Sequence, residues 1–173
     1  MKKTLLILLV TVAGILGANA QQKAVVVVDM EYILKAIPRY EAANDQLSQL
    51  STKWQKEIEA KQTEVQTLYK NYQTELVFLT PEMKKQRENE IITKEREVNE
   101  LKKQYFGAEG EMFKRRNALI KPIQEEIYNA IQELSNTKKY ELILDKNSNV
   151  GIIFASPKLD ISDEVLSQMG YSK

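Results

Sequence analysis

The 173-residue sequence carries 25 basic and 24 acidic residues, and it contains neither histidine nor cysteine. Imidazole-based triads, thiol nucleophiles, disulfides and the usual zinc sites therefore cannot be built from it. The balanced charge gives no reason to expect nucleic acid as a partner, and no GxxxxGK[ST] sequence supports a nucleotide site. We expect no catalytic residues, no cofactor and no metal.

Residues 1–20 have the pattern of a cleaved export signal. Lys2 and Lys3 precede an apolar run that is shorter than the roughly 20 residues a membrane-spanning helix needs. Ala18-Asn19-Ala20 then matches the small-x-small pattern that signal peptidase reads. We expect cleavage after Ala20 and export of residues 21–173, with a retained N-terminal anchor as the alternative. The exported part would have 23 basic against 24 acidic residues.

The exported part begins with a strand pattern. Residues 24–29, AVVVVD, form a β-branched run of the length of a buried strand. A short helical turn, MEYILKAI, follows, and Pro38 suits the first turn of another helix.

A helical hairpin is predicted over about residues 39–121. From Tyr40 to Leu79 apolar residues recur every three or four positions, with Lys61 as the polar exception. Thr80-Pro81-Glu82 then suits the start of a second helix. That helix carries a seven-residue apolar series: Ile91, Val98, Tyr105, Met112 and Leu119. Two long amphipathic helices joined by a tight turn run antiparallel, as a coiled-coil arm.

Beyond Pro122, which should kink the helix, the pattern predicts a core-facing helix over about 122–136. Two strands over about 140–145 and 150–155 would follow, joined by a hairpin loop at Asn147-Ser148-Asn149. A last helix over about 161–169 would be capped by Asp160 or Ser162. The fold class is α+β, with the helical arm projecting from a small β body.

The apolar surface of the predicted β body cannot be buried within a single chain. A lone three-stranded sheet leaves its edges and at least one apolar face in water, so other copies of the chain are the simplest cover. The candidates for this oligomer core are Val25, Val27, Leu142, Leu144, Ile152 and Phe154.

Some apolar residues of the hairpin lie outside the predicted seam between its two helices. Ile92, Phe106 and Phe113 belong to a second seven-spaced stripe, which is either a wider seam or an exposed binding surface. Val77 and Phe78 lie at the turn, where Phe78 either contacts a partner or a membrane surface or staples locally onto Met83.

Two further features have open interpretations. Gly107 and Gly110 are either a hinge or a point of close packing against the first helix. Basic clusters at Lys84, Lys85 and Arg87, and at Lys114, Arg115 and Arg116, are either solvated faces or binding patches.

The sequence as a whole resembles the Skp/OmpH family of periplasmic chaperones. The resemblance rests on the order of an export signal, VVVVDMEYIL, the hairpin, LIKPIQEEIYNAIQEL, KYELILDKN and LDISDEVL. It implies a periplasmic homotrimer that holds unfolded outer-membrane proteins between helical arms without ATP. The client-contact candidates would be Val77, Phe78, Ile92, Phe106 and Phe113. The near-neutral charge departs from strongly basic family members and weakens attraction to anionic clients or lipopolysaccharide; weak contact with a membrane surface stays open.

Two other function classes were weighed. A structural coiled-coil adaptor of the cell envelope, with one folded partner, is the alternative to the chaperone. An enzyme has no support, because the sequence offers no Gly-rich or aromatic-lined loop around its carboxylates.

Overall fold

The computed structural model describes residues 25–148 and 151–171, in two compact units. The body unit comprises residues 25–37 and 124–171, and the hairpin unit comprises residues 38–123. The predicted export signal, its cleavage site and the predicted strand residue 24 lie outside the described residues. That residues 21–173 form a single domain stays a prediction.

The body unit contains two short strands and three helical segments of its own. They are β1 (Val25–Val28), α1 (Met30–Lys35), β2 (Leu142–Asp145), a 3-10 turn (Pro157–Leu159) and α5 (Ser162–Gln168). Helix α4 (Glu111–Lys138) contributes its residues from Gln124 onwards to this unit.

The sheet of the body unit is parallel. β1 and β2 pair in the register Val25 with Leu142 through Val28 with Asp145. The predicted hairpin between residues 140–145 and 150–155 was wrong, because among the described residues β2 pairs with β1 alone and residues 151–155 form no strand. A turn does form after β2, where the backbone N–H groups of Asn147 and Ser148 donate to the side chain and the carbonyl of Asp145. The chain leaves this turn without folding back on β2.

The third predicted strand was also wrong for residues 151–155, which have no regular secondary structure. Ile153 and Phe154 are almost fully exposed. A β-branched and aromatic composition favours a strand only where a neighbouring edge and an apolar surface are available. Within the described chain, β1 is instead flanked by β2 and by a parallel bridge from Val27 to Asp160.

The core of the body unit lies where β1 meets the helices. Val26, Val27 and Val28 are buried, so most of the strand is covered within one chain. Helix α5 begins at Ser162 and has Ile161 at its N-cap position without a side-chain cap, so the predicted cap by Asp160 or Ser162 was wrong. The Asp160 carboxylate, one position before the cap, does accept the Ser162 backbone N–H at 2.9 Å. The fully buried side chains of this core include Ile33, Ile127, Ile161 and Val165.

The hairpin unit is built on α2 (Pro38–Glu75) and α3 (Pro81–Phe106). Contacts between residues late in α2 and early in α3, such as Tyr72 with Glu88, make the pair antiparallel. The hydroxyl of Thr80 caps α3 by accepting the backbone N–H of Met83. The buried seam positions are Ala43, Leu47, Trp54 and Ile58 in α2 and Ile91 and Val98 in α3.

The seam continues past the predicted interruption at Lys61. Lys61 is exposed and pairs with Glu64 at 3.3 Å, while the neighbouring Gln62 is half-buried and occupies the seam. The drift by one residue is expected, because a straight helix has 3.6 and not 3.5 residues per turn. The middle of the hairpin therefore carries a polar seam residue from α2.

Helix α3 ends at Phe106 and α4 begins at Glu111, so the helix boundary lies at residues 107–110. Pro122, where a kink is predicted, lies inside α4 and does not end it, and the division between the two units falls close by at residues 123 and 124. Proline inside a helix costs about 3 kcal/mol, but buried isoleucines on both sides, Ile120 and Ile123, favour continuing the helix.

The two glycines of the break are close to backbone of their own chain. A Cβ atom at Gly107 would lie 2.4 Å from the carbonyl oxygen of Lys103, and one at Gly110 would lie 2.8 Å from that of Gln104. These nearest atoms belong to the end of α3 and not to α2, contrary to the packing alternative for the two glycines. The break therefore needs residues without a side chain.

Replacing both glycines by alanine tests this steric requirement. Gly→Ala inside a regular helix stabilises by about 1 kcal/mol, but here the added methyl groups meet backbone atoms that cannot move aside. We expect the G107A/G110A variant to unfold at lower urea concentration, measured by circular dichroism. An increase in both helicity and stability would show instead that the break is not required.

Candidate functional site

The hairpin unit contains an aromatic cluster immediately before the helix break. The Trp54 and Tyr105 rings are stacked with centroids 4.7 Å apart, and Phe106 meets the Trp54 ring edge-on at 6.1 Å. The Tyr105 hydroxyl donates to Glu57 at 3.0 Å, and this hydrogen bond raises the pKa of Tyr105 above its ordinary value. Trp54 and Tyr105 thus pack against each other across the seam, and Phe106 packs edge-on against both rings.

The surplus stripe predicted from the sequence is largely exposed. Ile92 is 51% exposed, Phe106 is 40% exposed and Phe113 is 49% exposed. Ile120, at the same seven-residue spacing, is instead buried in a cluster with Ala43 and Leu47. The three exposed residues are called the stripe below, and their role as contact residues stays a prediction.

The turn between α2 and α3 exposes two large apolar side chains. Val77 is 82% exposed and Phe78 is 84% exposed, whereas Leu79 is half-buried. Met83 is itself substantially exposed, so a staple between Phe78 and Met83 covers neither side chain. Leu79 is therefore partly buried at the end of the hairpin, while Val77 and Phe78, called the apolar tip below, remain in water.

A polar groove of about 410 Å³ lies between α2 and α3 at the middle of the hairpin. Its floor includes Val65 and Val98, and its other lining residues are Gln62, Gln66, Glu95, Asn99 and Lys102. Sequence reasoning missed this groove, because it treated Asn99 only as an interruption of the stripe. The signal was present: Gln62 and Gln66 follow the polar exception at Lys61, opposite Asn99 in the antiparallel pair.

The basic clusters are partly neutralised by neighbouring acidic residues. Arg87 pairs with Glu75 at 3.4 Å and with Glu90 at 3.7 Å, and Lys114 pairs with Glu111 at 3.1 Å. These contacts favour the interpretation of both clusters as solvated faces.

The oligomer-core candidates of the body unit separate into three groups by exposure. Val27 is 4% exposed and is covered within its own chain, which the prediction of an interface position did not anticipate. Leu144 and Ile152 are half-buried. Val25, Leu142 and Phe154 are exposed, and the first two are neighbours in the sheet register.

A network of polar side chains ties the C-terminal segment to β1 and its following residue. The Lys146 ammonium group lies 2.8 Å from Asp160 and 3.2 Å from Asp29. The Ser162 hydroxyl accepts the backbone N–H of Asp29 at 2.8 Å, and the Ile161 N–H donates to the Val27 carbonyl at 2.9 Å. Sequence reasoning missed this network, because Asp29 is more than 130 residues from Ser162 and no local pattern links Lys146 to Asp160.

The network shifts the pKa values of its charged groups. Burial raises the pKa of Asp160, but hydrogen bonds from Lys146 and Ser162 outweigh it, so the pKa lies below its ordinary value. The hydrogen bond to Asp160 raises the pKa of Lys146. Both shifts mean that folding favours the charged forms of these two groups.

Acid should weaken the network. A carboxyl group whose pKa is lowered by folding contributes stability above its ordinary pKa, and this contribution is lost as the pH falls through the folded-state value. We expect D160N to be less stable than the native chain at neutral pH and to lose less stability on acidification to about pH 3. Urea unfolding at several pH values measures this, with the exposed Asp45→Asn as control; equal acid dependence for D160N and the native chain would contradict it.

The described chain offers neither a membrane span nor a metal cluster. No helix within residues 25–148 and 151–171 combines the length and the apolar character needed to cross a bilayer. In the same ranges, acidic side chains do not gather in threes as a metal site would need.

Comparison with known proteins identifies relatives of this fold. The model of the OmpH-like outer membrane protein family matches residues 24–169, and a search of curated proteins finds no match. The crystal structure of a protein from Caulobacter crescentus CB15, described as an OmpH-like outer membrane chaperone, superposes with a TM-score of 0.66 at 14% identity. That match covers 87% of this chain and 86% of the other. The chain shares its fold with this structure. Because the family model matches most of the length of the chain, the chain belongs to the OmpH-like family.

Proposed function

We propose that the protein is an ATP-independent holdase chaperone of the periplasm, which binds unfolded outer-membrane proteins and prevents their aggregation in transit. Membership of the OmpH-like family and a structural relative described as an outer membrane chaperone support a chaperone role. The observation that carries the proposal is the exposed stripe of Ile92, Phe106 and Phe113 together with the apolar tip.

Exposed apolar residues of this kind suit an unfolded chain better than a folded partner. A soluble protein that leaves large apolar side chains in water either uses them for binding or risks aggregation. Phe106 and Phe113 each remain about half accessible, so each offers a modest contact area. Many modest contacts spread along a helical hairpin can hold a client without fixing it in one conformation, and they need no nucleotide to be broken.

We propose that the chain self-associates through its body unit, as a homotrimer by the analogy of its family. The body unit, whose described residues form only two short strands, exposes apolar surface at Val25, Leu142, Ile153 and Phe154. Such a small sheet is marginal alone, and further copies would cover these residues.

Removal of three phenylalanines tests the chaperone role. We expect F78S/F106S/F113S to suppress aggregation of a urea-diluted outer-membrane β-barrel protein markedly less well than the native chain. Its free energy of unfolding should fall by much less than the 3–5 kcal/mol typical of each buried phenylalanine that is truncated. Light scattering and circular dichroism melting measure the two effects separately.

The exposed Tyr69 provides the control for this experiment, because Y69S removes an aromatic ring from the same hairpin outside the stripe and the tip. If the triple variant loses stability with no separate loss of binding, the phenylalanines are packing residues. If the native chain fails to suppress aggregation but binds one folded envelope protein tightly, the structural adaptor is the better description.

Two charge substitutions test self-association. V27D places a carboxylate at a position buried within one chain, so we expect the body unit to unfold. F154D places it at an exposed position, so we expect a folded protein that sediments as a smaller species than the native chain. A native chain that sediments as a folded monomer at micromolar concentration, or an F154D variant that keeps the native assembly, would contradict the proposed interface.

A further inference from the structure

We propose that the stripe and the polar groove together bind a client segment as an extended strand with alternating apolar residues. This inference rests on the proposed function and specifies what part of an unfolded protein the hairpin recognises. The combined surface, called the strand-binding surface below, consists of Ile92 and Phe106 with the groove residues Gln62, Gln66 and Asn99.

The spacing of the apolar residues matches an extended chain. Ile92, Asn99 and Phe106 follow one another at seven-residue intervals within the continuous helix α3, so they lie on nearly one line along its surface. Ile92 and Phe106 are 14 residues apart, which corresponds to about 21 Å along the helix axis. An extended chain covers this distance in about six residues. Because side chains of a strand alternate between two faces, residues i and i+6 point to the same side.

The groove between these two contacts offers the chemistry that a peptide backbone needs. Asn99, midway between Ile92 and Phe106, lines the groove together with Gln62 and Gln66 from the opposite helix. A carboxamide carries both a donor and an acceptor, as does a peptide group. Within the described residues, the side chains of Gln62, Gln66 and Asn99 make no hydrogen bond to other protein groups. They are therefore available to the amides and carbonyls of a bound strand.

Several polar side chains of the hairpin outside this groove link its two helices. Lys94 links Glu64 of α2 and Glu97 of α3 at 3.5 and 3.1 Å. Tyr72 donates to Glu88, and Tyr105 donates to Glu57. These contacts cross-link the two helices above and below the groove, whereas the three carboxamides leave their hydrogen-bonding groups open.

The surface therefore favours one class of segment. Membrane-spanning strands of β-barrels alternate apolar and polar residues over about ten residues, so one face of such a segment is continuously apolar. An extended segment of this kind places apolar side chains over Ile92 and Phe106 at once and its backbone over the carboxamides. A segment with apolar residues at helical spacing cannot do so in extended form.

Two peptides of equal composition test the inference. Both have about eleven residues and no tryptophan; one alternates apolar and polar residues, and the other places its apolar residues at helical i, i+3, i+4, i+7 spacing. Binding to the full chain is followed by anisotropy of a label on each peptide. It is also followed by the fluorescence of Trp54, the only tryptophan in the sequence, whose ring contacts Phe106. We expect the alternating peptide to bind about tenfold more tightly and to change the Trp54 emission.

The carboxamides are tested with a matched control. We expect Q62A/Q66A/N99A to bind the alternating peptide about tenfold more weakly, as the loss of two or three hydrogen bonds implies. Q86A, which removes an exposed carboxamide of the same helix outside the groove, should bind it as the native chain does. Circular dichroism confirms that both variants keep their helical content.

The inference fails if the two peptides bind equally, if neither binds, or if the triple variant matches Q86A. Suppression of barrel-protein aggregation by the native chain, measured in parallel, separates this failure from that of the proposed function. With suppression intact, only strand recognition is lost; without suppression, the chaperone role falls as well.

Discussion

A hairpin of two helices buries one apolar line per helix, and every apolar residue beyond that line must face water or another molecule. The remaining features of the hairpin unit depend on this constraint. The buried line of the hairpin includes Trp54, Ile58, Ile91 and Val98. The stripe lies outside it, because Ile92 and Phe106 follow the seam positions of α3 by one residue and Phe113 follows Met112 in α4. All three side chains stay substantially exposed. The same periodicity that builds the scaffold therefore also produces its exposed surface.

The sequence predicted the hairpin well, since its information is local and repeated. Apolar residues at three- and four-residue steps specify a helix pair, and Thr80-Pro81 specifies where the second helix begins. The sequence indicates a kink at Pro122 and a weak point at Gly107 and Gly110, and placing the helix break requires two opposing effects to be compared. Pro122 is a stronger helix breaker than glycine in isolation, yet buried isoleucines surround it, and the break lies instead at Gly107 and Gly110. Packing, which a local pattern does not contain, decided between them.

The body unit was harder to predict because its contacts join distant parts of the chain. Val27 shows why: its strand pairs with β2, and its carbonyl also accepts the Ile161 N–H from a segment more than 130 residues later. Lys146 then bridges Asp29 and Asp160 across the same region. With β2 on one side and residues 160–161 on the other, both edges of β1 are occupied, whereas the outer edge of β2, which the predicted hairpin would have used, stays unpaired within the described residues. The apolar pattern of residues 151–155 reports a potential for burial and not the partner that would supply it.

The strand-binding surface and the seam place opposite demands on the middle of the hairpin. A fully apolar seam would hold α2 and α3 together more strongly, but it would leave no hydrogen-bonding groups for the backbone of a bound chain. Gln62 in the seam weakens the packing there, and Asn99 lies exposed between Ile92 and Phe106. The aromatic cluster on one side and the Lys94 ion pairs on the other hold the helices together. The polar groove can therefore exist between two regions of close contact between α2 and α3 without separating the helices. Each contact that such a groove makes is weak in water, because carboxamides exchange a protein hydrogen bond for one to solvent at little net gain. Under the proposed function, contacts of this strength are broken without a chemical step.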